Sequence, residues 1–257
     1  MKNLASICGM KRKHWILAFL FLTLGLHFLG AQEKLASYAE VYEEEFFQAV
    51  DFSVQIRKIL AEKNLSEYDP DFVSAIVFPE LMRYSQFSDA IEKNIDRMLH
   101  LFSNEINSCS IGPMQMKPVF AVALERDLHA DPELAAKFPM IDFNGEGESV
   151  SQRMKRIERL RKIDTQIYYL LAFIEICVKR YGLEDSPVDY KIRIVSTAYN
   201  SGAGLGIKTL EEKSRRRSFP QGSRSGLSKW IYWELGFDFY TLSKTSRLIK
   251  PEFLIAH

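Results

Sequence analysis

Cysteine is scarce, with three residues in a chain of 257. That is too few for a disulfide framework, which a core of this size does not need. Histidine is also sparse. Beyond residue 31 only His100, His129 and His257 remain, none at ligand spacing from another histidine or a cysteine, so no metal site is expected. No charge of one sign dominates. Thirty-four Lys and Arg face 33 Asp and Glu, a net +1, which lacks the basic footprint of a nucleic-acid binder. No serine sits in a Gly-x-Ser-x-Gly elbow, leaving hydrolase-type nucleophilic catalysis unsupported. The stretch Gly202-Ala203-Gly204-Leu205-Gly206-Ile207-Lys208-Thr209 is not a phosphate loop, because its lysine does not follow the glycine directly and a helical pattern precedes it. No nucleotide or other cofactor is expected. Convincing strand patterns and internal repeats are missing too. A composition 47% hydrophobic and 26% charged is that of an ordinary globular protein and excludes disorder, collagen-like repeats and a polytopic membrane protein.

What is present begins with the N-terminus. Lys2, Lys11, Arg12 and Lys13 precede an apolar run over residues 15–29, followed by Gly30-Ala31-Gln32. This is the layout of a secretory signal peptide cleaved after Ala31. The run is shorter than the ~20 residues that span a bilayer; an uncleaved N-terminal anchor is the alternative. Cys8 lies before the run, so it is not placed as a lipoprotein acceptor. Loss of four positive charges takes the net charge from +1 to −3. The expected location is exported, periplasmic or extracellular, with no membrane span after cleavage. There Cys109 and Cys177 either pair or remain buried thiols.

The rest reads as helical. Residues 38–65 carry Val41, Phe46, Val50, Phe52, Ile56 and Leu60 at helical spacing. Asp69-Pro70 has the form of an N-cap with proline in the first turn, opening a helix to about residue 84. A separate helix is expected over 88–102, and residues 129–150 are looser, with turn chemistry at 144–147. A long helix over 151–181 ends at Gly182 as a left-handed cap. Its basic first half is either a solvated face or a site for an anionic polymer. A helix over 189–199 leads to a glycine-rich turn at 201–206. Residues 213–226 form a Ser/Arg/Gly-rich loop, and the aromatic stretch 230–239 is a helix or a packed extension.

Three segments then stand in order: Ser74-Ala75-Ile76-Val77-Phe78-Pro79-Glu80, Ser110-Ile111-Gly112-Pro113-Met114-Gln115-Met116-Lys117-Pro118, and Thr197-Ala198-Tyr199-Asn200-Ser201-Gly202. Glu80 follows apolar neighbours, and desolvation raises a carboxyl pKa, which suits a general acid. Pro79 lacks the N–H a helix needs and is expected to kink or end it at the glutamate. Gly112 permits close backbone approach to a sugar ring, and Gln115 offers donors and acceptors to sugar hydroxyls or acetamido groups. If this stretch is extended, Met114 and Met116 alternate in direction, one lining a pocket and one packing inward.

The ordered triple resembles the lytic transglycosylase and goose-type lysozyme families of the lysozyme-like superfamily, over about residues 72–206. Those families show a catalytic glutamate at a helix end, then Gly-Leu-Met-Gln, then Ala-Tyr-Asn-Ala-Gly. The chain departs from the pattern at Leu81 (serine in the family), at Pro113 (leucine), and in the 31 residues between Glu80 and Gly112. It resembles a divergent member.

The resemblance implies an all-α, lysozyme-like domain with a substrate cleft. Its boundaries are 1–31 signal peptide, 32–65 N-terminal helical extension, 66–210 the lysozyme-like domain, and 211–257 a C-terminal extension packing on it. It implies a monomer acting on peptidoglycan glycan strands without cofactor or metal. Glu80 is the catalytic residue; Gly112, Met114, Gln115, Tyr199 and Asn200 bind substrate. Tyr199 would bring its hydroxyl to Glu80, and Asn200 would hold the glycan or the turn. A single glutamate suffices for transglycosylation, whereas a lysozyme needs a second carboxyl, for which Asp89, Glu92 and Asp96 are the candidates. A non-catalytic glycan-binding or envelope-assembly protein on the same fold, and a lysozyme-type hydrolase, are the alternatives.

Overall fold

The computed structural model describes residues 41–85 and 109–245, apart from 142, 144–148 and 223–225, and the helical backbone of 86–100. The signal segment, the 144–147 turn, Cys8, His257 and the side chains of Asp89, Glu92 and Asp96 lie outside the described residues. Among the described residues helices account for 71% and strands for 4%, a mostly helical make-up in keeping with the all-α expectation.

Helix α1 (Glu43–Glu62) opens on three glutamates, which suit the positive end of a helix dipole. It buries Phe46, Val50, Ile56 and Leu60 on one face. Helix α2 (Pro70–His100) begins where Asp69 accepts a hydrogen bond from the Asp71 amide at 3.0 Å. It then runs unbroken for 31 residues. The expected stop or kink at Pro79 and the separate helix over 88–102 are therefore corrected: both belong to one helix. The reason lies in another element. Pro79 supplies no N–H to the Ala75 carbonyl four residues back, and the backbone of Gly236 packs against that carbonyl. A Cβ on Gly236 would come within 2.0 Å of it. Tertiary packing thus covers the carbonyl that proline removes from the helical ladder.

Helices α3 (Pro118–His129) and α4 (Pro132–Lys137) and a single 3-10 turn (Pro139–Ile141) occupy the looser region. The long basic helix is two helices, α5 (Val150–Leu160) and α6 (Ile163–Tyr181). Helix α5 opens with a capping box of Ser149 and Gln152. At the break, the Gln166 side chain donates to the Leu160 carbonyl at 2.6 Å. Helix α6 is buried nearly all round, from Ile167 to Cys177, and ends at Gly182 with φ of 61°, as the sequence indicated. Of the basic residues, Arg156 is buried and faces Glu125, and Arg159 lies over the Phe143 ring. That half is no uniformly solvated face.

Helices α7 (Val188–Ser201) and α8 (Ile207–Lys213) precede a two-stranded antiparallel sheet, β1 (Arg217–Phe219) with β2 (Trp230–Ile231). Strand β1 falls inside the expected 213–226 loop and β2 inside the aromatic stretch, so the reading without strands is corrected. Each strand is too short to show a period-two pattern. Helix α9 (Tyr232–Lys244) closes the described chain. Helix α2 packs against α1, α7 and α9, while α6 packs against α3, α5 and α7. Phe78 of α2 stacks on Phe239 of α9 at 4.4 Å and meets Phe46 of α1 edge-on at 5.7 Å. No disulfide joins Cys109 to Cys177, and burial pushes the Cys177 thiol up to about 12.

Candidate active site

Glu80 sits within α2 and is 6% exposed. Its apolar flanks, Phe78 and Leu81, are fully buried. The desolvated carboxyl expected from those flanks nevertheless has a cation beside it. Arg83, one helical turn on, donates from Nη1 to Glu80 Oε1 at 2.7 Å. The same guanidinium donates from Nε to the Pro220 carbonyl at 2.8 Å and from Nη2 to the Ser218 carbonyl at 3.1 Å. The rings of Phe219 and Tyr232 lie 5.3 and 5.5 Å from it. Burial opposes the Arg83 charge, but the Glu80 carboxylate outweighs that, and the guanidinium is held above its ordinary value. The segment read as an outer extension, residues 211–257, therefore supplies the anchors of the cation at Glu80.

Residues 111–116 form a tight reversal. Ile111 and Met116 exchange two backbone hydrogen bonds, of 2.9 and 3.1 Å. The Gln115 amide and its side-chain Nε2 both donate to the Gly112 carbonyl, at 3.0 and 2.9 Å. Gln115 adopts φ of 53°, a left-handed conformation that costs about 1–2 kcal/mol for a residue with a Cβ. Such strain persists only where the surroundings over-determine it. Here Gln166 of α6 does so. This fully buried residue accepts from the Met114 amide at 3.0 Å and donates to the Ile111 carbonyl at 2.7 Å.

Two expectations about this turn are corrected. Gly112, with φ of 62°, leaves room for Gln166 and not for a sugar, since an added Cβ would lie 2.3 Å from Gln166 Nε2. Met114 and Met116 do divide into one residue that lines the cleft and one that packs inward, but Met116 takes the lining position, so the substrate-binding role read for Met114 is corrected. Both side chains are buried, because the stretch is a turn and not a strand. Met114 belongs to the frame of the turn, whereas an edge of Met116 reaches the cleft. Gln115 stands on the cleft as expected.

Tyr199, in the last turn of α7, is clamped edge-on by Phe120 and Phe173 at 5.5 and 5.4 Å. Its hydroxyl donates to the Met114 carbonyl at 2.7 Å. That bond uses its one hydrogen, so Tyr199 acts on Glu80 through proximity and charge and not as a hydrogen-bond donor. Burial, and after it the charge of Glu80, raise the Tyr199 phenol well above its ordinary value. Asn200 donates to the Ser218 hydroxyl at 3.3 Å, tying α7 to β1. The phenol facing the carboxylate from the far side is Tyr232. Its hydroxyl is buried and meets hydrogen-bond geometry with none of the described residues. Burial and the nearby Glu80 charge hold it protonated, with Arg83 opposing.

Beside Glu80 and Arg83 opens a cleft of about 340 Å³, with Tyr232 behind them and outside its lining, a size within the range of small-ligand sites. Glu80, Gln115, Tyr199 and Asn200 line it; Gly112 and Met114 do not. Sequence reasoning missed Arg83, Lys117, Tyr232 and the supporting Gln166. Only Arg83 had a signal, an opposite charge at helical i,i+3 spacing from Glu80. Glu80 is the one acid among the described lining residues, with Arg83 and Lys117 as cations. Among the described residues no cluster of His, Cys, Asp or Glu could hold a metal ion, and no helix is long and apolar enough to cross a membrane. No protein family, no curated protein and no solved structure matches this chain.

Proposed function

We propose that the protein cleaves glycan strands by lytic transglycosylation, with Glu80 as the sole acid and base. The supporting observation is the convergence of three distant segments, around Glu80, Gln115 and Tyr199-Asn200, on one cleft. Lone carboxylates and turn residues lie anywhere on a surface; their meeting in a cavity with buried walls is what chemistry on a bound ligand requires. The substrate proposed is peptidoglycan, cut at the β-1,4 bond between N-acetylmuramic acid and N-acetylglucosamine, by a protein exported to the cell wall and acting as a monomer on a lysozyme-like fold.

In the first step protonated Glu80 gives its proton to the bridging oxygen as the bond from muramyl C1 to that oxygen breaks. The N-acetylglucosamine leaves with a free hydroxyl, and C1 is left electron-poor. In the second step the muramyl C6 hydroxyl attacks C1. The Glu80 carboxylate takes the C6 hydroxyl proton, so no water is consumed and a 1,6-anhydro ring forms. Arg83 at 2.7 Å stabilises the carboxylate between the steps, and Gln115 offers amide groups to the sugar. A second reading, a glycan-binding protein without catalysis, draws on the same ion pair, which engages the acid with Arg83.

Digestion of purified peptidoglycan by the chain and by Glu80→Gln, with products read by mass spectrometry, tests this. Anhydromuramyl products from the unaltered chain, reduced by about 10²-fold or more in the variant, are expected for a lost general acid. Reducing-end products would make it a hydrolase. Retained binding without cleavage would favour the second reading.

A further inference from the structure

We propose that Arg83 is the binding site for a carboxylate of the substrate, which takes the place of Glu80 as its counter-charge. The substrate class is then a saccharide carrying a carboxylate beside the bond that is cut. This rests on the reading of Glu80 as a general acid and names what that acid demands of its ligand.

Glu80 can donate a proton only after taking one from solvent, and in doing so it ceases to neutralise Arg83. The guanidinium does not follow by losing its own proton. Nor is it free to swing out, because the Ser218 and Pro220 carbonyls hold two of its nitrogens and the Phe219 and Tyr232 rings flank it. Its side chain is only 18% exposed, and a ligand filling the cleft dehydrates it further. Among the described residues the other groups facing this point offer no negative charge. Lys117 is a second cation on the lining, and Tyr199 and Tyr232 are phenols held protonated. A cation left uncompensated at so dry a position is costly.

The ligand must therefore bring the anion. Arg83 uses three of its five N–H donors on described residues. Release of Glu80 frees a third N–H for a carboxylate, the group a guanidinium fork fits best. On a muramyl glycan such a carboxylate has two sources. It is the lactyl arm where the peptide has been removed, or the peptide itself where it remains. If the lactyl arm is the source, an amide-hydrolysing reaction must precede this one.

Calorimetric titration with three probes separates these cases: chitotetraose, a peptide-free muramyl tetrasaccharide, and the same tetrasaccharide bearing peptide. At least one carboxylated probe is expected to bind about tenfold or more tighter than chitotetraose. The gap should widen in Glu80→Gln, where Arg83 has no internal counter-charge. It should narrow in Arg83→Lys and close in Arg83→Met, each gap being taken against the same variant's own affinity for chitotetraose. Which probe gains identifies the source. If Arg83→Met fails to fold, the comparison of Glu80→Gln with the unaltered chain still decides. Equal affinity for all three probes in both of those proteins overturns the inference while leaving cleavage by Glu80 intact. Failure to bind any saccharide, with no cleavage of peptidoglycan, overturns the underlying reading as well.

Discussion

At the scale of single residues, Tyr232 is the informative side chain around Glu80. It buries a hydroxyl that meets hydrogen-bond geometry with none of the described residues, while the ring flanks Arg83 at 5.5 Å. The Glu80 carboxylate is nonetheless the acceptor within its influence, raising the phenol by charge and by a loose hydrogen bond, so the hydroxyl is placed to back the acid and contributes little to stability. Tyr232→Phe is expected to leave thermal stability unchanged or raised, since the ring and its packing remain. Under the proposed chemistry the same change lowers turnover of peptidoglycan by about tenfold or more. Melting curves and product-release rates measured on one preparation check both halves. A loss of stability would show that the hydroxyl is bonded in the empty protein.

At the scale of elements, the turn over residues 111–116 depends on a helix that lies far along the chain. Gln166 of α6 serves the Ile111 carbonyl, the Leu160 carbonyl and the Met114 amide together. Replacing it by leucine keeps the size but removes the side-chain partner of the Met114 amide and the Leu160 carbonyl and one of the two partners of the Ile111 carbonyl, at about 1–3 kcal/mol for each buried group left unsatisfied. Gln166→Leu is expected to lower the denaturation midpoint and to weaken saccharide binding through Gln115, whose left-handed backbone loses its support. Denaturant unfolding and binding titration are the measurements, and stability equal to the parent would refute the role. The helices that frame this turn were legible from apolar spacing, Asp69-Pro70 and Gly182. The continuation of α2 through Pro79 was not. Local rules place a break at proline, and it is Gly236 of α9, more than 150 residues away, that covers the exposed Ala75 carbonyl.

At the scale of the whole molecule, the C-terminal segment completes the site. Without β1 the Arg83 guanidinium loses both of its carbonyl partners, and without α9 Phe78 loses its stacked neighbour. The same burial predicts the response to alkali. Tyr199 and Tyr232 are raised well above the ordinary phenol value by burial. Tyr68 stands at about 12, raised by burial, with Lys137 opposing and Glu175 adding to the rise. Unfolded tyrosines release their protons near 10. Between about 10 and 12 the folded state therefore binds more protons than the unfolded, and stability falls as pH rises. The contribution is fully present below pH 10 and is lost as the pH climbs through the folded values. Melting temperature followed against pH should decline above 10, with tyrosinate absorbance growing as the chain unfolds. A flat profile to pH 12 would contradict the burial of these phenols.

By itself the sequence determined the helical class, the starts of α2, α5 and α7, the ends of α6 and α7, and four of the residues that meet at the cleft: Glu80, Gln115, Tyr199 and Asn200. Those features are local, carried by periodicity, caps and short motifs that a chain displays before it folds. Tertiary structure alone decided what stands beside Glu80. It also decided that Gly112 and Met114 serve the frame and not the cleft, and that the Tyr199 hydroxyl donates its hydrogen bond to the Met114 carbonyl. These follow from contacts between segments up to 150 residues apart, and the geometry of such contacts is set by packing density and hydrogen-bond satisfaction across elements, which no local pattern encodes.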